Sequence, residues 1–195
     1  MIYTVTMNPS LDYLLSLPAL QAGETNRSAA ERLVAGGKGI NVSKMLYNLG
    51  TDSIIWGFAG GFSGEELCRQ LTAAGLRQDL IFLHNGNTRI NVKLSAGQET
   101  EVNAAGPKAE EEALQIFYRR LEALTAEDYV VLSGSLLPGM PCNSYRQIMQ
   151  QLQGRGVHFI VDTTGESLRE TLPLHPFLIK PNQRELEELF KTELT

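Results

Sequence analysis

The stretch "VAGGKGINVSKML", from Val34 to Leu46, sets Lys38 among Gly36, Gly37 and Gly39 at the mouth of a helical pattern. Free backbone N–H groups at such a turn and the helix dipole behind them both favour an anion. Neither common nucleotide loop fits. No Ser or Thr follows Lys38, as a P-loop requires, and "GKGINV" lacks the third glycine of the dinucleotide fingerprint. Asn41 lies in the first helical turn, where a polar side chain can point back into the loop and hydrogen-bond a ligand hydroxyl. A tight turn packing a helix against a sheet is the competing reading.

Four further stretches offer polar side chains. In "TRINVK", Arg89, Asn91 and Lys93 share one strand face at about 7 Å intervals. Two cations on one face suit a phosphate, with Arg as the fork donor, although a solvated strand face would look the same. "LSGSLLPG" places Ser133 and Ser135 just past an apolar strand, at the sheet edge where α/β proteins bind ligands. "DTTGESL" puts Asp162 at another strand end, where a turn residue is equally expected. "NQRE" reads first as a helix N-cap at Asn182, with Glu185 completing a capping box. His84, His158 and His175 lack metal-ligand spacing, and no Ser–His–Asp order stands out.

The elements that must position these residues alternate. "IYTVT", "SIIWGFAG", "LIFLH", "YVVLSGS", "VHFIVD" and "FLIK" read as buried strands. Between them, "GINVSKMLYNLG" is helical, with Val42, Met45, Leu46 and Leu49 at i, i+3, i+4 and i+7. "GEELCRQLTAAG" is a second helix. "PKAEEEALQIFYRRLEAL" carries Ala113, Phe117, Leu121 and Leu124 in one stripe, and "NSYRQIMQQLQGRG" carries Tyr145, Ile148, Met149 and Leu152. "NQRELEELF" opens a final helix. Strands buried on both faces and alternating with helices predict a mostly parallel sheet in a three-layer α/β/α fold. Two segments break the rhythm, near 11–34 and 88–103. The second alternates strictly, with Ile90, Val92 and Leu94 opposite the polar row, and Ala96-Gly97 reads as a hairpin turn. A small antiparallel β-structure over the carboxyl edge of the sheet is expected there.

The chain has 195 residues, 17 basic and 22 acidic, for a net charge of −5. Its basic residues are scattered, which argues against a nucleic-acid surface. No signal peptide or membrane span is visible, so the cytoplasm is the default compartment. Cys68 and Cys142, in unrelated contexts, read as reduced thiols.

Taken together, "TVTMNPSLDY", "GGKGINVS", "GFAGGFSGE", "TRINVK", "ETEVNAAGP", "LSGSLLPG", "DTTGESL" and "LIKPNQRELEELF" resemble, in order and over nearly the whole chain, the ribokinase-like carbohydrate kinases. The likeness is greatest to their branch of 1-phosphofructokinases and tagatose-6-phosphate kinases. It implies a single ribokinase-like domain with a β-lid, which in relatives often serves as a homodimer interface. It further implies transfer of the ATP γ-phosphoryl, with Mg²⁺, onto a ketohexose monophosphate. Overall likeness favours fructose 1-phosphate as acceptor, giving fructose 1,6-bisphosphate, with tagatose 6-phosphate the alternative.

Carried over by resemblance, Asp12, Gly36, Gly37 and Asn41 would bind sugar hydroxyls. Arg89 and Ser135 would hold the substrate phosphate, assisted by Lys38 and Arg27. Lys180, Asn182 and Glu185 would face the ATP phosphates and Mg²⁺, with Asp162 near the metal through water. Leu137 stands where many relatives have a second proline. The family's "GAGD" block, which supplies the catalytic base and an anion hole, is absent from these residues. The resemblance places that base beyond Thr195, so no catalytic residue is expected within the chain. The expectation is therefore a domain incomplete at its C-terminal end and inactive alone, with core surface left uncovered. A non-catalytic sugar-phosphate sensor and a nucleotide-cofactor oxidoreductase are the competing classes, the latter disfavoured by the missing glycine.

Overall fold

The computed structural model describes residues 1–193. Thr195, the residue beyond which the catalytic base is expected, lies outside the described residues. In chain order the first half runs β1 (Ile2–Thr6), β2 (Ser10–Ser16), β3 (Ala30–Gly36), α1 (Lys38–Asn48), β4 (Ser53–Gly60), α2 (Gly61–Ala73), β5 (Arg77–Leu83), β6 (Arg89–Ser95) and β7 (Glu99–Val102). The second half adds α3 (Glu111–Leu121), β8 (Tyr129–Ser133), α4 (Ser144–Gln151), β9 (His158–Asp162), α5 (Gly165–Thr171), β10 (Leu178–Ile179) and α6 (Gln183–Phe190). Six strands pair in parallel in the order β10-β9-β8-β1-β4-β5. Helices cover both faces, giving the three-layer α/β fold expected from the alternating elements.

Strand alternation divides the core. Val5, Trp56, Phe58, Leu132 and Val161 face α3, α4 and α5, where Phe117, Tyr145, Ile148 and Leu168 meet them. On the opposite face Ile55, Ala59 and Leu80 pack with Ile40, Leu67 and Leu71 of α1 and α2. The stripes foreseen on α3 and α4 are buried throughout.

The stripe read on α1 is not the face that the helix buries most: Val42 and Leu46 are half-buried. Met45 and Leu49 are 60% and 71% exposed, while the buried residues of α1 are Gly39, Ile40 and Ser43. The reason is close approach. An ideal Cβ on Gly39 would lie 2.4 Å from Thr6 Oγ1 and 3.1 Å from Val5 O, so only glycine lets the helix sit this near β1. The contact continues through a buried hydroxyl chain, Thr4 Oγ1 to Ser43 Oγ at 2.7 Å and Ser53 Oγ to Ser43 Oγ at 2.8 Å.

A second sheet, β3-β2-β6-β7, lies beside the first. It is mixed, where an antiparallel sheet was foreseen: β2/β3 and β6/β7 are antiparallel, but β2/β6 run parallel. The β2-to-β6 connection passes through three strands and two helices, so no hairpin forces it antiparallel. Ala96-Gly97 does form the β6–β7 turn, with Ala96 N–H donating to Gln98 O at 3.1 Å.

At the β10 edge of the main sheet Phe177, Leu178 and Ile179 are exposed, as is Phe190 on α6. Among the described residues no helix is long and apolar enough to cross a membrane.

Candidate functional site

The β1 strand ends at Thr6, and the chain turns over the carboxyl edge of the sheet through Asn8 into β2. That turn, the Gly36-Gly37 junction, the start of β6 and the loops after β8 and β9 meet around a cavity of about 270 Å³. Thr6, Asn8, Lys38, Arg89, Ser135 and Thr163 are among its lining residues. A wider cleft of about 540 Å³ shares Asn8, Arg89, Ser135 and Thr163 with it. Two buried polar atoms of lining residues, Thr6 Oγ1 beside Gly39 and Asn8 Oδ1 beside Gly106, have no hydrogen-bond partner among the described residues.

Beside the cavity the second sheet presents a carboxylate held from three sides. Asp12 Oδ1 accepts from Ser10 Oγ at 2.7 Å and from Asn91 Nδ2 at 2.9 Å, while Oδ2 lies 3.3 Å from Lys93 Nζ. The register Asp12↔Asn91 puts these side chains on one face, so Asn91 and Lys93 of the polar row of β6 meet Asp12 there. Gly36 makes room: an ideal Cβ there would lie 2.7 Å from Asp12 Oδ2. Burial alone would pull Lys93 down, but Asp12 and Glu101 hold it above the ordinary lysine value.

Arg89 is half-buried, donating from Nε to Asn8 O at 3.2 Å and from Nη1 to Ala104 O at 3.4 Å. Burial lowers its pKa, with Asp12 opposing; a guanidinium stays charged regardless. Ser135 follows Gly134, whose carbonyl is fixed by Tyr145 Oη at 3.2 Å and Thr163 Oγ1 at 3.0 Å.

An ionic cluster borders the same cavity. Lys38 Nζ lies 3.0 Å from Asp162 Oδ1 and 3.6 Å from Glu185 Oε1, and Lys180 Nζ lies 3.5 Å from Asp162 Oδ1. Lys38 therefore sits between the acceptor residues and those expected to face nucleotide phosphates. Asn182 and Glu185 form the capping box read from "NQRE": Asn182 Oδ1 accepts from Glu185 N and Asn182 N donates to Glu185 Oε2, both at 2.9 Å. The cap uses Oε2 and leaves Oε1 toward Lys38. Asn182→Ala is expected to cost about 1 kcal/mol, seen as a small fall in melting temperature; no fall would mean the cap is dispensable.

Of the expected residues, Gly37, Lys38, Arg89 and Ser135 line the cavity. Asp12 and Gly36 lie beside it on the second sheet, and Asp162 and Glu185 reach it through Lys38. Arg27 is exposed in the β2–β3 loop, and Asn41 is exposed on α1; neither lines the cavity. Conversely Thr6, Asn8, Ser10 and Thr163 were not singled out. Their signal was position, since they lie at or beside strand ends in "TMNPSLD" and "DTTG". Among the described residues no cluster of three or more His, Cys, Asp or Glu could hold a metal by itself.

The model of the pfkB family of carbohydrate kinases matches residues 5–195. The chain belongs to that family. It is 40% identical over 195 residues to the 1-phosphofructokinase of Bacillus subtilis, covering 100% of this chain and 64% of the relative. To the 1-phosphofructokinase of Borreliella burgdorferi it is 41% identical over 194 residues, covering 99% and 62%. The crystal structure of Escherichia coli phosphofructokinase-2 in complex with substrates and products superposes with a TM-score of 0.94 at 30% identity, covering 100% of this chain and 64% of that one. The chain thus spans a little under two thirds of the relatives it matches. As a member of that family it carries the layered parallel sheet and second sheet that the alternating strands and helices foretold.

Proposed function

We propose that this chain carries the acceptor-sugar site of an ATP-dependent sugar-phosphate kinase, a 1-phosphofructokinase that phosphorylates fructose 1-phosphate. The observation that carries it is the meeting of both chemistries where the second sheet adjoins the carboxyl edge of the main one: Asp12, fixed by Ser10, Asn91 and Lys93, and the cation Arg89 at a cavity next to the Lys38–Asp162–Glu185–Lys180 cluster. The names of the relatives from Bacillus and Borreliella support the same acceptor.

In this reading Asp12 accepts hydrogen bonds from sugar hydroxyls, and the glycines at 36 and 37 allow the sugar to approach the backbone. Arg89 and Ser135 hold the existing phosphate. Lys38, at the same cavity, assists them, and Lys180 faces the ATP phosphates. Glu185 and Asp162 would hold Mg²⁺, which suits one or two carboxylates completed by phosphate oxygens and water. Bound there, it would neutralise charge on the transferring group. Asn41, Arg27 and Asn182 are kept as hydroxyl, phosphate and nucleotide contacts that form on ligand binding. No "GAGD" occurs between Met1 and Thr195, so transfer itself is proposed for a chain that carries that block. We place the kinase in the cytoplasm, which suits two unpaired cysteines. It would pair as a homodimer through the lid face bearing Tyr13, Leu33, Val92 and Val102, of which Leu33 and Val102 are exposed.

Calorimetric titration of the chain with fructose 1-phosphate, fructose 6-phosphate and tagatose 6-phosphate tests the reading. Fructose 1-phosphate should bind most tightly, in the micromolar-to-millimolar range roughly typical of enzyme substrates. Tighter binding of tagatose 6-phosphate would reassign the acceptor, and no binding of any would end the proposal.

A further inference from the structure

As the edge strand of the second sheet, β3 turns one row of backbone groups away from β2. Such groups need partners. Two side chains from the main body supply them where the strand enters the Gly36-Gly37 junction. Gln70 of α2 accepts the Ala35 N–H at its Oε1, 2.7 Å away, and donates from Nε2 to Leu33 O at 3.2 Å. Its amide thus repeats the pairing a further strand would make. Lys44 of α1 donates from Nζ to Ala35 O.

Gln70 is itself held. Nε2 also donates to Glu66 Oε1 at 2.8 Å, and Arg69 grips Glu66 with two N–H groups at 2.6 and 2.7 Å. Arg69 first and Gln70 second hold the Glu66 carboxyl down to about 2, so it stays a charged acceptor at neutral pH. Both donors of the Gln70 amide are engaged and its oxygen accepts once, which fixes its orientation. None of these residues lines the cavity. Gly36 nevertheless follows Ala35 directly, and Asp12 packs into the space of its missing side chain.

We propose that Gln70 and Lys44 are positioning residues, clamping the second sheet to α1 and α2 at Ala35 and thereby holding Gly36, Gly37 and Asp12 in register for the acceptor sugar. The functional half of this proposal rests on the acceptor-site reading above. A leucine at 70 keeps the bulk but loses all three hydrogen bonds, and a methionine at 44 loses the donor to Ala35 O. An arginine at 44 keeps a donor.

The test compares the unsubstituted chain with Q70L, K44M and K44R in two measurements. Amide hydrogen exchange without ligand should show residues 33–37 exchanging about tenfold faster in Q70L and K44M, as expected for local opening, while the melting temperature moves by about 3 °C or less. Calorimetry with fructose 1-phosphate should show binding weakened about tenfold in both, with K44R near the unsubstituted value. Should Q70L fail to fold, K44M against K44R decides by the same readings. Unchanged exchange at 33–37, or faster exchange with unchanged affinity, overturns the clamp as a positioning device. If the unsubstituted chain does not bind fructose 1-phosphate, the acceptor reading fails, and exchange alone then upholds or overturns the clamp itself.

Discussion

Arg89→Ala is expected to weaken fructose 1-phosphate binding about a hundredfold, the equivalent of one or two charge-assisted hydrogen bonds. The melting temperature should change by about 3 °C or less. The side chain has five N–H donors. Two hydrogen bonds, to Asn8 O and Ala104 O, hold its plane between the turn after β1 and the segment after β7. Among the described residues it makes no ion pair, so its charge is not already neutralised by a short contact. A half-buried guanidinium that is fixed by carbonyls and open to a cavity binds a phosphate with little further ordering. Removing it loses two hydrogen bonds to neutral carbonyls, a small cost to folding, but takes the cavity's preorganised cation away from the ligand. Arg89→Lys keeps the charge and loses the fork, so an intermediate affinity is expected. Isothermal titration of the three chains checks the order. Equal affinity for Arg89→Ala and the unsubstituted chain would remove Arg89 from the site.

What could be read from the sequence, and what could not, divides by distance along the chain. The capping box of Asn182 and Glu185 was legible because both partners lie within one turn. The stripes of α3 and α4 were legible because large apolar side chains do the packing. On α1 the same rule missed the face buried most. That helix buries Ile40 together with a glycine and a serine, which hydropathy does not mark, and Met45 and Leu49 of the apolar row face outward.

The site shows the same division. "TRINVK" offered a polar face but not its partner. Asn91 and Asp12 are 79 positions apart and meet through a parallel pairing that no local turn encodes. Lys38 is placed at the substrate phosphate by resemblance, and nothing near it in the sequence announces its ionic partners. The structure gives it two carboxylates, one of them 124 positions away. Long-range charge pairing depends on which loops the fold brings together, and composition carries no record of that.

Gly57→Ala is expected to destabilise the chain by about 3 kcal/mol or more, lowering the melting temperature by about 10 °C or leaving too little folded protein to purify. In the sequence this glycine is an unremarked member of "SIIWGFAG". In the fold it pairs with Thr6 of β1. Its φ is 148°, a region that side chains rarely adopt, and an ideal Cβ would lie 2.0 Å from Thr6 O and 2.8 Å from Thr6 C. Both atoms are backbone of the neighbouring strand and cannot swing aside. Nor can Thr6 retreat. Gly39 packs on its other side, where a Cβ would be 2.4 Å from Thr6 Oγ1, and Gly37 faces its methyl group. Three glycines therefore converge on the last residue of β1. One lies in a neighbouring strand and two at the start of α1, and Thr6 itself lines the cavity. Displacing it would shift the turn to Asn8 and the glycine junction together, so any folded Gly57→Ala protein should also bind fructose 1-phosphate more weakly. Gly97→Ala is the control: its φ is 78°, but nothing lies within 4 Å of an added Cβ. Backbone strain alone costs about 1–3 kcal/mol, so Gly97→Ala should be the milder of the two. Thermal unfolding of both variants separates strain from collision. A Gly57→Ala chain that melts no lower than Gly97→Ala would show that the β1–β4 contact can relax, and the three-glycine account of Thr6 would fall with it.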